Sequence, residues 1–373
     1  MNANTYELFY ELVKAGLWEK EVRLSSYEKV DWQEIYQIAS EQSVVGLVIA
    51  GLDHLVDLKV PQEVVLTFIG SVLQIEERNK ALNEYLAATV EKMRDVGIYT
   101  VLVKGQGIAQ CYERPLWRTS GDIDLLLSDS NFWKAKNFLD KESGMPREIA
   151  TNDIRRHLEY SIDSWVIELH GTLHTDLYGR LDRGVDKAQY SVFYGGEVRS
   201  WKDGNTVVFL PSPDNDVIFV FTHILQHFSQ GGIGLRQVCD LCRLLHTYRD
   251  EINPSRLNER LRKMRLENVW RTFGALAVDY LGMPPEEYPL YEASDSYKKK
   301  AGKVIDFVLE VGNMGYKRDT SYTQKYPFIV SKIISFFRET RDIIRHSFIF
   351  PEYAIRVWFR MVKNGVESVI YRN

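Results

Sequence analysis

Apolar residues recur every three or four positions from Tyr6 to Val13 and again from Ser71 to Met93, the period of an amphipathic helix. Residues 1–96 therefore read as a helical region, with Glu76, Glu77, Arg78 and Lys80 on a solvated face. The period then changes. Residues 98–103 form a β-branched, apolar run of strand length, followed by Lys104-Gly105-Gln106-Gly107 and a short helical stretch at 108–112. A second apolar run starts at Gly121 and carries Asp122 and Asp124 at its head; residues 131–141 fit a helix packed on the sheet. Residues 158–162 and 165–170 read as a hairpin turning at Asp163-Ser164, 179–204 as peripheral strands or loops, and 207–210 as a closing strand. These segments predict an α/β domain over 97–210.

Beyond it the helical period returns. Pro211-Ser212-Pro213 is a helix-start signal, and helices are expected over 217–228 and 235–246, joined by the glycines at 231, 232 and 234. This makes 211–290 a helical domain. Residues 291–373 form a C-terminal helical extension, with nine Lys and Arg against four acids from Lys325 onward. Phe350-Pro351 divides that extension in two. Its apolar residues, among them Ile333, Phe336, Phe337, Ile343 and Ile344, are expected to pack on the preceding domain, with a membrane-surface helix as the alternative.

Candidate chemistry starts at Asp122 and Asp124. Side chains two apart on a strand share a face, and two carboxylates there repel unless a positive charge lies between them. A divalent metal is the usual solution. Glu168 sits inside the second hairpin strand between Ile167 and Leu169, where an acid is costly unless it is paired or metal-bound. If the two strands are neighbours, three acids converge. The turn at Lys104-Gly105-Gln106 lets backbone amides approach an anion, with Lys104 adding a point charge. His223 and His227 lie four apart on one helix face, a spacing that can bind a metal, and a core or phosphate-facing role is favoured over zinc. Arg236 and Asp240 are also four apart, and a helix-surface ion pair is open beside a contribution to the site.

The order of these motifs resembles the polymerase-β-like nucleotidyltransferase superfamily. More narrowly it is similar to a bacterial branch of uncharacterised nucleotidyltransferase-like proteins, over about residues 35–280. Lys104-Gly105, Arg118, Asp122-Ile123-Asp124 and Glu168-Leu169-His170 carry the likeness. Gln106 departs from it, standing where the superfamily usually has Ser, and the interval from Gly105 to Asp122 is longer than in compact members. The resemblance implies an α+β fold: a mixed sheet with helices, flanked by N- and C-terminal helical regions. It also implies two Mg²⁺ (or Mn²⁺) ions on Asp122, Asp124 and Glu168. Lys104, Gly105, Gln106 and Arg118 would bind a nucleoside triphosphate. His170, His223, His227, Arg236 and Asp240 would support the site from behind. The implied activity is transfer of a nucleoside monophosphate to an acceptor hydroxyl. An inactive binding protein of the same fold and a metal-dependent phosphohydrolase are the alternatives.

Composition adds limits. The chain has 373 residues, 45% hydrophobic and 26% charged, enough for a sizeable core. A net charge of −4 gives no general reason to expect nucleic acid, so a small molecule or protein is favoured over RNA as acceptor. Cys111, Cys239 and Cys242 are an odd set, and the Cys239-x-x-Cys242 pair lacks a second pair, favouring core thiols over zinc. No signal-like N-terminus and no run of eighteen apolar residues is present, so a cytoplasmic protein without integral membrane association is expected.

Overall fold

The computed structural model describes residues 3–27, 30–145 and 157–370. Four helices come first: α1 (Ala3–Trp18), α2 (Trp32–Glu41), α3 (Val45–Asp53) and the long α4 (Gln62–Asp95). Helices α1 and α3 cross backbone to backbone. A Cβ at Gly16 would lie 1.9 Å from the Leu47 carbonyl oxygen, and one at Gly51 would lie 2.1 Å from that of Leu12. Only glycine permits this approach.

The sheet follows. Strand β1 (Val101–Val103) leads into α5 (Gly105–Ala109); then come β2 (Asp122–Leu126), α6 (Asp129–Ser143), the hairpin β3 (His157–Ile162) and β4 (Trp165–His170), α7 (Gly179–Tyr194), and the hairpin β5 (Val198–Asp203) and β6 (Thr206–Pro211). These six strands form one sheet in the order β3-β4-β2-β1-β6-β5. Pairs β2–β4 and β1–β6 are parallel and the other three antiparallel, so the sheet is mixed and the fold is α+β.

The rest is helical: α8 (Pro213–Gln230), α9 (Leu235–Thr247), α10 (Pro254–Met264), α11 (Glu267–Leu281), α12 (Asp295–Val311), α13 (Tyr322–Lys325), α14 (Phe328–Ser347) and α15 (Pro351–Ile370). No helix among the described residues is long and apolar enough to cross a membrane.

Alternation along β2 divides the two faces. Ile123, Leu125 and Leu127 join Leu82, Leu86, Val90 and Met93 of α4 and Phe132, Ala135 and Leu139 of α6 in one apolar layer. Asp122 and Asp124 therefore project from the opposite face. There Val101, Val103 and Leu126 belong to a second, larger core that includes α8 and α9. All three cysteines are buried and free.

Several expectations need correction. Residues 179–194 are a helix rather than peripheral strands or loops. Leu181, Val185, Ala188 and Val192 line its buried face, and its glycines are not turn signals. Gly184 instead makes room for Met264, whose Sδ would lie 2.3 Å from a Cβ there. The first strand is shorter than 98–103, and the short helix begins at Gly105 rather than at Ile108.

The C-terminal extension also packs less completely than expected; its last three residues lie outside the described ones. Only Ile343 of the five named apolar residues is buried, while Ile333, Phe336, Phe337 and Ile344 are 37–67% exposed. The inward face of α14 is Ser331, Asp342, Ile343 and His346. The other four named residues lie away from that face.

Candidate active site

The parallel β2–β4 ladder sets Asp124 opposite Glu168 and Asp122 opposite Val166. Residues opposite one another in a ladder share a face, so Glu168 falls beside the two aspartates. One oxygen from each of Asp122, Asp124 and Glu168 lies within 4.8 Å of the others. Asp124 is buried, and the other two are partly open to solvent.

The surrounding charges do not serve the three acids equally. Burial works against the charged form of Asp124, yet Lys104 and His170 hold its pKa below the usual carboxylate value. Lys104 Nζ lies 3.1 Å from Asp124 Oδ1, and His170 Nε2 lies 2.8 Å from the same oxygen. Hydrogen bonds from His157 and then His170 keep the Glu168 carboxyl well below its ordinary range. Asp122 goes the other way. The negative charge of Asp124, reinforced by burial and Glu168, raises it. Asp122 is therefore the acid whose negative charge the neighbouring cations offset least, a condition that favours a cation beside it.

The turn before α5 lies directly against these acids. Lys104 adopts φ 61° and ψ −146°, a region almost confined to glycine, and Gly105 follows at φ +40°. Such strain persists where the surroundings force it, and it concentrates at functional sites. It aims the Lys104 ammonium at Asp124, while a Cβ on Gly105 would meet the Asp122 carbonyl oxygen at 3.5 Å. Gln106 is 2% exposed, and neither its amide nitrogen nor its amide oxygen has a hydrogen-bond partner among the described residues.

Arg118, expected near the transferring phosphate, is buried and directed elsewhere. Its Nε and Nη2 donate to Asp240 Oδ1 and Oδ2 at 2.8 and 2.7 Å, and Nη1 donates to Ser120 Oγ at 2.9 Å. Tyr112 donates its hydroxyl to the same Asp240 at 2.8 Å. Asp240 therefore engages Arg118 rather than forming a surface pair with Arg236. Arg236 donates to the Thr119 carbonyl at 2.6 Å, so both arginines fix the three residues that enter β2.

His223 and His227 stand on α8 with ring centroids 4.2 Å apart. Burial and then the nearby Lys104 push both imidazoles down, His227 to about 4, so both are neutral at physiological pH. Both feel the charge of Lys104, and His227 also feels those of Asp124 and Glu168.

One residue escaped the sequence reading. His157, on the edge strand β3, pairs across the hairpin with His170 and lies 3.1 Å from Glu168 through its Nε2. The signal was arithmetic. A hairpin turning at Asp163-Ser164 sets Ile162 opposite Trp165, and counting outward places His157 opposite His170.

The profile of a family described as "uncharacterised nucleotidyltransferase" matches residues 28–282, and the chain belongs to that family. The matched span contains every site residue named above. No curated protein and no solved structure matches the chain.

Proposed function

We propose that this chain is a divalent-metal-dependent nucleotidyltransferase that moves a nucleoside monophosphate from a nucleoside triphosphate to an acceptor hydroxyl. The observation that carries this reading is the convergence of Asp122, Asp124 and Glu168 within 4.8 Å. Family membership supplies the reaction class.

The donor set suits a hard cation, because carboxylate oxygens are the ligands that Mg²⁺ and Mn²⁺ accept. The Asp122 carboxyl is raised chiefly by the charge of Asp124, a repulsion that a bound cation would offset. Asp122, Asp124 and Glu168 would hold two ions, which when bound would neutralise the phosphates and activate the acceptor oxygen.

The chain's own groups do the rest. Lys104, held at Asp124 by the strained turn, carries the charge closest to an incoming phosphate. Gly105 leaves the backbone beside it accessible, and the unpartnered Gln106 amide offers a donor and an acceptor in the position of the superfamily's Ser. Arg118 and Arg236 act as positioning residues through the loop that enters β2. His223 and His227, uncharged, add no positive charge beside the acids. In the reaction the acceptor oxygen bonds to the α-phosphorus and the bond to the β-phosphate oxygen breaks. Pyrophosphate leaves, and the hydroxyl proton is released through Glu168.

A small-molecule or protein acceptor suits the net charge of −4 better than RNA does. Three buried free thiols suit a reducing, cytoplasmic setting.

The test is incubation with each labelled nucleoside triphosphate and Mg²⁺ or Mn²⁺, with candidate acceptors present. Pyrophosphate with a labelled product supports transfer. Free nucleoside monophosphate identifies a hydrolase instead, and absence of both in protein shown to bind the nucleotide identifies a binding protein.

A further inference from the structure

The outer edge of the same sheet presents a second donor set of different chemistry. His157 and His170 face each other across the β3–β4 ladder, with rings stacked at 4.9 Å and 28°. Both direct Nε2 at one oxygen. His157 Nε2 lies 3.1 Å and His170 Nε2 3.4 Å from Glu168 Oε2. One donor atom from each of the three residues falls within 4.8 Å of the others. Asp124 Oδ1, 2.8 Å from His170 Nε2, belongs to the all-oxygen set and not to this one.

We propose that His157, Glu168 and His170 bind a first-row transition dication of the Zn²⁺ class and discriminate against Mg²⁺. Glu168 is then shared by two unlike positions, an all-oxygen one toward Asp122 and a nitrogen-rich one toward His157.

Three features carry this. Imidazole nitrogen is a borderline donor that suits Zn²⁺ and its neighbours, whereas Mg²⁺ takes oxygen ligands and retains water. Donor atoms bound tetrahedrally at 2.0–2.1 Å stand about 3.3 Å apart, and the two nitrogen–oxygen separations at Glu168 are 3.1 and 3.4 Å. The His157 side chain is 42% exposed, so the position opens to solvent on one side and leaves room for a further ligand. Without metal, His157 Nε2 pairs with Glu168 and His170 Nε2 with Asp124, and a metal titration distinguishes the two states.

The inference shares Glu168 with the transferase reading but needs no turnover, so metal binding itself is the measurement. Untagged, metal-stripped full-length protein is titrated with Co²⁺, whose tetrahedral complexes absorb strongly in the visible. Zn²⁺ and Mg²⁺ then compete for the same signal.

The expected result is one equivalent of Co²⁺ with tetrahedral bands, displaced by Zn²⁺ and unaffected by millimolar Mg²⁺. His157→Asn should weaken binding at least about tenfold while leaving the circular dichroism spectrum unchanged, because His157 lies half-exposed at a sheet edge. Asp122→Asn, which touches only the all-oxygen set, should leave the bands intact. Co²⁺ binding that is absent, equally sensitive to Mg²⁺, or unchanged in folded His157→Asn would overturn the proposal. Should the bands appear with no nucleotide chemistry in any assay, the transferase reading fails and the metal site stands.

Discussion

Arg118 and Asp240 are 122 positions apart in sequence and are joined by two parallel hydrogen bonds, Nε to Oδ1 at 2.8 Å and Nη2 to Oδ2 at 2.7 Å. Both side chains are buried, and the pair ties the loop entering β2 to helix α9. Removing one member leaves a charge in the interior without its partner. Asp240→Ala should therefore cost about 3–5 kcal/mol in urea denaturation, with Arg236 nearby adding a second positive charge. Replacing both partners with apolar residues, Arg118→Met with Asp240→Leu, should recover much of that loss. A loss below about 1 kcal/mol in Asp240→Ala would mean that the pair does not hold the loop.

Asp122 should behave differently. Its carboxyl is raised chiefly by the charge of Asp124, so its ionised form is repelled in the folded protein. Asp122→Asn removes that repulsion without changing shape. In metal-free buffer the thermal midpoint should stay level or rise, while the gain in midpoint on adding Mg²⁺ should shrink and Mg²⁺-dependent turnover should vanish. A variant that is less stable without metal, or that retains the full Mg²⁺ response, would separate Asp122 from the metal site.

Much of this was legible in the chain because the informative patterns are local. The period-two alternation around Ile123 and Leu125, and the acid flanked by Ile167 and Leu169, mark strands whatever surrounds them. The parts that escaped depend on partners distant in sequence. Helix α7 was obscured because Gly184 looks like a turn residue until Met264 of α10 is seen against it. Asp240 looks like a partner for Arg236 four residues away until the fold brings Arg118 to it. Sequence spacing identifies groups able to meet, whereas packing decides between competing partners. The solvent-facing side of α14 escapes the sequence for a related reason. An apolar stripe shows that a helix has a greasy face, but not that anything covers it.

His346 gives α14 a pH signature. It is 1% exposed, stacked on Phe228 at 4.2 Å, and has its Nε2 without a hydrogen-bond partner among the described residues. Burial, aided by Arg345 and Arg318, pushes its pKa down to about 3. The folded protein therefore holds the ring neutral, while the unfolded chain takes up a proton near its ordinary value of about 6.5. The resulting stability is present above that value and is lost as pH falls toward 3. The slope is at most about 1.4 kcal/mol per pH unit. His346→Phe keeps the ring stack and removes the titration. Between pH 7 and pH 5 the wild type should lose up to about 2 kcal/mol more than the variant. Parallel pH profiles would show that the ring is not held neutral by the fold.

The outer face of α14 bears on solubility rather than folding. Ile329, Ile333, Phe337, Ile344 and Phe348 recur at four- and seven-residue spacing and are 50–71% exposed, on the side away from Ile343 and His346. Side chains so open to solvent make little contribution to the folded state, but together they form a contiguous apolar stripe of the kind that drives association. Placing acids at 333 and 337 should break the stripe, and the acid at 337 would sit one turn before Arg341, a favourable helical pairing. The doubly substituted protein, Ile333→Glu with Phe337→Glu, should keep its unfolding free energy within about 1 kcal/mol of wild type, since exposed substitutions are usually near neutral. It should also scatter less light as concentration rises. If instead it unfolds readily or loses more than about 2 kcal/mol, these side chains are covered in the working protein and the helix stands closer to the core than its exposure indicates.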